Sequence, residues 1–320
     1  MRRRDFIILL VGASATAPFS AFAQKSSRIG WLVFGGASLG PIDQSLKDAL
    51  AQNGFVDGRN IQIIYRYAGG SSTRLAEAAE ELVAQKPDIL LGVGGDVVKA
   101  LFDASKGTIP VVGGVSDSPV RAGFAVSLAK PGKNFTGVTF LTDEMAAKRM
   151  EMLKEIAPDT KRVAVIFNPL HLDDEVTFAR KAAQSLGIDI TTHPVRNIDE
   201  LDPALRSTDG TNGLFVVASR LTNFVAARIA QYGLAQRLPV ITAWREFAAS
   251  GALLSYGPNR AFEAKRVAGY AQKVLTGAKP ADLPIEQPVK FELVVNLKTA
   301  RSIGLTLDRS FLLRADDLIE

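Results

Sequence analysis

The sequence predicts an α/β protein made of two doubly wound, mainly parallel sheets joined by a hinge, and three observations carry that expectation. From Arg28 onward, short β-branched or apolar runs alternate with amphipathic segments of helical length. The alternation has a midpoint, with five candidate strands, a joining helix and then five more. The length of 320 residues is about twice the ~150 typical of one domain.

The first 23 residues stand apart from this pattern. Arg2, Arg3 and Arg4 precede the apolar run Phe6 to Val11, and Ala21-Phe22-Ala23 has the small-x-small form of a cleavage site, so a removable export signal ending before Gln24 is expected. Arg3-Arg4-Asp5-Phe6-Ile7 also resembles a twin-arginine signal. Gly12, several Ser/Thr and Pro18 break the segment, which is shorter than the ~20 apolar residues of a membrane span. Its removal takes away three arginines and one aspartate, leaving 35 basic and 32 acidic side chains and a net charge of +3. No Lys/Arg stripe with interleaved aromatics follows, so nucleic acid is not an expected partner. The chain has no cysteine, which excludes disulfides, thiolate metal sites, a cysteine nucleophile and a lipidated N-terminal cysteine. An exported, unanchored protein is retained only by a second membrane, so the expected compartment is a periplasm.

In the first half the expected strands are Ile29 to Phe34, Ile61 to Tyr67, Asp88 to Val93, Ile109 to Gly113 and Gly137 to Phe140. Leu46, Ala49 and Leu50 form one helical face, closed by Asn53-Gly54. Leu75, Ala78, Ala79, Leu82 and Val83 repeat that spacing, with Pro87 beyond the end. A joining helix from Asp143 to Ile156 stops at Pro158, and the second series is Val163 to Phe167, Ile188 to Thr192, Leu214 to Val217, Val240 to Thr242 and Ala252 to Ser255. A long helix from about Ala261 to Leu275 and a Pro-punctuated stretch then lead to a strand at Phe291 to Val295.

Ligands of open parallel sheets bind beyond the carboxyl ends of the strands, and the loops at those ends are here small and polar. Position in these loops makes Ser38, Gly95, Asp96, Ser116, Asp117, Asn168, Ser219, Trp244, Arg245 and Tyr256 the candidate ligand-binding residues, with Arg220 resting on the same positional argument. Glycine lets a backbone approach a ligand, and free N–H groups at strand-to-helix turns favour an anion such as a carboxylate, although any one Gly pair is equally a tight turn. Trp244 suits stacking on an aromatic ligand and Arg245 a carboxylate, against the alternatives of a packed Trp and a salt-bridged Arg. Asp117 suits a ligand ammonium, or an Asx turn before Pro119. Gly92-Val93-Gly94-Gly95 has neither the spacing nor the place of a dinucleotide loop.

Catalysis has little to build on. His171 and His193 are the only histidines, too few for a multi-His site, and Asp173, Asp174 and Glu175 read as acidic residues opening a helix. His193-Pro194 is expected to end a strand facing solvent. No enzyme activity, cofactor or metal is expected.

An ordered set of segments carries a family resemblance. Gly54-Phe55-Val56-Asp57-Gly58-Arg59-Asn60, Tyr65-Arg66-Tyr67-Ala68-Gly69-Gly70, Arg74-Leu75, Trp244-Arg245-Glu246-Phe247, Leu254-Ser255-Tyr256-Gly257-Pro258-Asn259 and residues 290–300 resemble ABC transporter substrate-binding proteins of the tryptophan/aromatic amino-acid type. The resemblance implies a type I periplasmic-binding-protein fold with three crossings between lobes. It places one lobe at 24–140 plus 259–277 and the other at 141–258 plus 281–320. It also implies closure on a small organic solute, an aromatic or branched apolar amino acid or related carboxylate, which is handed to a permease and ATPase; the default expectation for the oligomeric state is a monomer. A sensory subunit for a membrane receptor and an exported α/β enzyme are the alternatives.

Overall fold

The computed structural model describes residues 26–116, 118–171 and 174–320, so the expected signal segment, Asp117 and Asp173 lie outside the described residues. In chain order the first sheet and its helices are β1 (Ser27–Val33), α1 (Pro41–Gln52), β2 (Ile61–Tyr67), α2 (Arg74–Ala84), β3 (Ile89–Val93), α3 (Gly95–Ser105), β4 (Val111–Val115) and β5 (Phe135–Thr139). All five strands are parallel in the order β2-β1-β3-β4-β5. β3, β4 and β5 are buried along their whole length, because helices cover both faces, and this is why they read as unbroken apolar or small runs.

The chain then crosses through α4 (Thr142–Ile156) into β6 (Arg162–Phe167), α5 (Glu175–Ser185), β7 (Asp189–Pro194), α6 (Leu201–Arg206), β8 (Gly213–Val216), α7 (Arg220–Phe224), α8 (Ala226–Ala235), β9 (Val240–Thr242), α9 (Arg245–Ala249) and β10 (Leu254–Pro258). It returns in α10 (Arg260–Leu275), which packs against α1 and the first sheet, and ends with β11 (Phe291–Asn296), α11 (Leu297–Ile303), α12 (Arg309–Leu312) and β12 (Asp317–Ile319). The second sheet is larger than expected. Its order is β12-β11-β10-β9-β8-β6-β7, with β11 antiparallel to β10 and the unforeseen β12 parallel to β11. The three-residue β12 is too short to show a period of its own.

The chain passes between the sheets at three places, after β5, after β10 and before β11. These crossings are laced together. Thr139 N–H donates to the Glu286 carbonyl, Glu286 N–H to the Gly137 carbonyl and Asn259 N–H to the Lys290 carbonyl. Beneath them Arg266 of α10 binds Glu263, Glu286 and the Gln287 carbonyl.

His193 corrects an expectation. It is buried at 9% exposure, its ring nitrogens bonded to the Thr191 and Ser207 hydroxyls, because the end of α6 covers this edge strand. Burial lowers its pKa below the ordinary histidine value. Of the acidic group beside His171, Asp174 stands at the N-cap position of α5 with its side chain on Arg121, while Glu175 forms a fully buried ion pair with Arg149 at 2.7 Å and accepts from Ala218 N–H.

Candidate functional site

The carboxyl end of β1 and the first turn of α1 face the start of α7 across a cavity of about 240 Å³, with the start of α10 forming its hinge-side wall. At ~30 Å³ per water this holds about eight waters, the scale of a single small metabolite. A wider hollow of about 710 Å³ at the amino ends of β4 and β5 is bordered by Lys106, Lys133 and Lys279. It is not a matched site, because none of its lining residues holds a buried unpaired polar atom.

The 240 Å³ cavity does hold such atoms. Asp43 enters from the first turn of α1 and is 1% exposed; its Oδ2 accepts from Arg220 Nη2 at 3.3 Å, while Oδ1 has no hydrogen-bond partner among the described residues. Arg220 opens α7 from the opposite side. Its position is set by a capping box in which Ser219 Oγ accepts from Thr222 N–H and Thr222 Oγ1 from Ser219 N–H. Its stem lies against the backbone of Gly94, where a Cβ would sit 2.5 Å from Arg220 Cγ and where φ is +115°, so only glycine fits at this turn. Arg220 Nε and Nη1 have no partner among the described residues.

Arg260 is the first residue of α10, fixed by the Asn259 side chain accepting from Phe262 N–H. Its guanidinium lies 5.0 Å from the Trp244 ring centroid and 3.4 Å from Glu246, and its Nε is also unpaired among the described residues. Burial is the largest influence on Arg260 and lowers its pKa, the like charge of Arg220 acts the same way, and Glu246 and Asp43 oppose them. An arginine stays protonated in such surroundings. The cavity is therefore lined by two guanidinium groups and the Asp43 carboxylate, with Glu246 paired to Arg260 outside the lining, and these groups carry both unpaired donors and an unpaired acceptor. A buried charged group without its partner costs more than the ~1–3 kcal/mol of a neutral one, so these atoms favour a guest carrying both signs of charge.

The structure brings only some of the sequence-nominated residues to this site. Ser38 lines the cavity from the β1–α1 loop. Ser219 is buried and spends its hydroxyl on the α7 cap, so it acts by placing Arg220. Gly95 begins α3 beside Gly94; Asp96 Oδ1 accepts from Val97 N–H and its buried Oδ2 is unpaired among the described residues. Ser116 is buried, and its carbonyl takes bonds from both the backbone and the hydroxyl of Thr142. Asn168 is buried and bonds Leu170 N–H.

Like Ser116 and Asn168, which do not line the cavity, three more nominated residues sit elsewhere. Trp244 is 4% exposed, edge-on to Phe140 at 5.5 Å and faced by Arg260, so it is a floor beneath the cavity and not a wall. Arg245 points away to Glu292 at 3.3 Å and Asp317 at 2.6 Å. Tyr256 stacks on Phe291 at 6.3 Å. Sequence reasoning missed Asp43, Asn223, Phe224 and Arg260, which all line the cavity from helices. A search of the first turns of helices that follow strand-end loops would have found Asp43 and Arg260.

Comparison with known proteins agrees with this architecture. Residues 32–319 match the family described as ABC transporter substrate binding protein. A tyrosine-binding protein of Clostridioides difficile (strain R20291) is 24% identical over 261 residues, covering 80% of this chain and 74% of that protein. Among solved structures, a conserved domain protein from Vibrio cholerae superposes with a TM-score of 0.85 at 24% identity, over 92% of this chain and 100% of that one. The ABC domain from Streptococcus pneumoniae in complex with L-Trp gives 0.83 at 23% identity, again over 92% and 100%. On that match over residues 32–319, and with two sheets joined by three crossings, the chain belongs to the ABC transporter substrate-binding proteins, a family of binding proteins and not of enzymes.

Proposed function

We propose that this protein captures a free α-amino acid between its lobes and presents it to an ABC importer. The ligand carboxylate takes an unpaired N–H of Arg220 and Arg260 Nε, one bond from each guanidinium, and the ammonium takes Asp43 Oδ1, with Asp96 Oδ2 and Ser38 at the margin. The observation that carries the reading is the mixed-charge cluster of Asp43, Arg220 and Arg260 around a cavity of about 240 Å³. Charge-assisted guanidinium–carboxylate bonds are strong, and the opposed Asp43 rejects simple anions, so a zwitterion satisfies both ends at once. The relatives named for tyrosine and solved with L-Trp support an amino acid as the solute class. No reaction follows binding.

The lobes are 24–140 with 259–277 and 141–258 with 281–320, rotating about the three crossings. Ligand favours the closed arrangement only through contacts it makes to both lobes, and Asp43 with Arg220 supplies one from each side. An export signal in residues 1–23 places the mature monomer in the periplasm, where a permease and ATPase are its partners.

The test is calorimetry of the purified protein with L-amino acids, alongside their N-acetyl, amide and decarboxylated derivatives, and mass spectrometry of small molecules released on denaturation. The expected result is binding that needs both the free ammonium and the free carboxylate. Equal affinity for an N-acetyl derivative, or no binding by any α-amino acid, overturns the reading.

A further inference from the structure

The polar end of the cavity leaves open what selects the rest of the solute, and one aromatic side chain is placed to do it. Phe224, the last residue of α7, is 47% exposed and is the only aromatic among the exposed large apolar side chains of the described residues. It is not a stray surface residue. It lines the cavity together with Phe34, to which it stands edge-on at 6.3 Å and 76°. Two glycine turns of the first lobe make room for it. A Cβ at Gly70, whose φ is +79°, would lie 2.8 Å from the Phe224 ring, and one at Gly35 would lie 3.8 Å from it. A half-exposed ring held by the opposite lobe against two glycines presents apolar surface at the mouth of the cavity, and covering that surface is favourable.

We propose that Phe224, with Phe34 behind it, is the specificity-determining wall that selects a planar aromatic side chain over a branched aliphatic one. The inference rests on the amino-acid reading above. Arg220 and Phe224 lie four residues apart on α7, so the helix carries the carboxylate partner and the side-chain wall together from one lobe. The ring faces and edges of Phe34 and Phe224 give an aromatic guest offset or edge contacts that an aliphatic guest of equal area does not gain.

The experiment measures dissociation constants of wild type, Phe224→Leu and Phe224→Ala for L-phenylalanine, L-tyrosine, L-tryptophan and L-leucine. Both replacements are at a half-exposed position, and folding is checked by circular dichroism. Wild type is expected to favour the aromatic ligands. Phe224→Leu, which keeps apolar cover but loses the ring, is expected to shrink the aromatic-to-leucine preference about 2–10-fold, and Phe224→Ala to shrink it at least as much. A preference unchanged in both variants, or a wild type that favours leucine, overturns this proposal and leaves the amino-acid reading standing. A wild type that binds no α-amino acid overturns both.

Discussion

Replacing Arg220 by methionine tests the site most directly, because it removes the charge while keeping much of the stem that rests on Gly94. Asp43 is 1% exposed and accepts from Arg220 at 3.3 Å. Breaking a buried pair by deleting one member costs about 3–5 kcal/mol, most of it from the charge left behind. Here the molecule has an escape that a sealed core lacks. Opening the hinge hydrates Asp43, so the cost falls on closure and not on folding. The ligand also loses charge-assisted bonds worth about 1.5–3 kcal/mol. Arg220→Met is therefore expected to weaken amino-acid binding by at least 100-fold, since each ~1.4 kcal/mol is tenfold, with a small change in the melting temperature of the free protein. Calorimetry gives the first quantity, differential scanning fluorimetry the second, and small-angle X-ray scattering the shift toward open particles. Unchanged affinity would refute the assignment, and a large drop in the melting temperature of the free protein would show that Asp43 cannot reach water by opening.

Three further outcomes are expected. Arg121, in the loop after β4, holds Asp143 at 2.6 Å and Asp174 at 2.8 Å on the other lobe while 46% exposed, so Arg121→Ala should weaken binding about 3–10-fold and reduce its salt dependence; equal salt dependence in the variant would refute a strap across the cleft. Burial pushes the Glu263 carboxyl up to about 7, with Arg266 pulling it down and Glu286 adding to the rise. Because its folded value lies above its unfolded one, the native state holds the extra proton, and this contribution is full below about pH 4.5 and lost as pH rises through 7; Glu263→Gln should flatten stability across that window in urea titrations, and an unaltered slope would count against it. Trp244→Ala should cost about 3–5 kcal/mol of stability, because the ring fills the space between Phe140 and Arg260, and a loss below ~1 kcal/mol would show that the ring faces the cavity instead.

Much of the scaffold was legible because parallel strands buried on both faces leave continuous apolar runs: the strands expected at Asp88 to Val93 and Ile109 to Gly113 lie at Ile89–Val93 and, two residues on, at Val111–Val115. The loops at their carboxyl ends were legible too, and Ser38 and Ser219 were nominated on that ground. What a sequence does not carry is the direction in which a loop residue points. Trp244 and Arg245 are neighbours, yet one turns under the cavity and the other out to Glu292 and Asp317, because Trp244 is the extended N-cap of α9 and Arg245 its first helical residue. Asp43 and Arg260 escaped notice for a different reason. Each is a charged residue in a first helical turn, a place where a solvated charge is common, and only the meeting of segments 177 residues apart turns Asp43 and Arg220 into a pair.

The return of α10 to the first sheet has a consequence for how the chain comes to be made. The apolar face formed by Ile29, Trp31 and Leu91 is roofed by α1 together with Val267, Ala268 and Ala271, which are synthesised after the whole of the second β/α series. The second sheet likewise waits for β11 and β12 near the carboxyl terminus. Neither half can finish before these segments have been made, so a product that stops short of them exposes oily surface on both sides and is a natural substrate for chaperones and proteases.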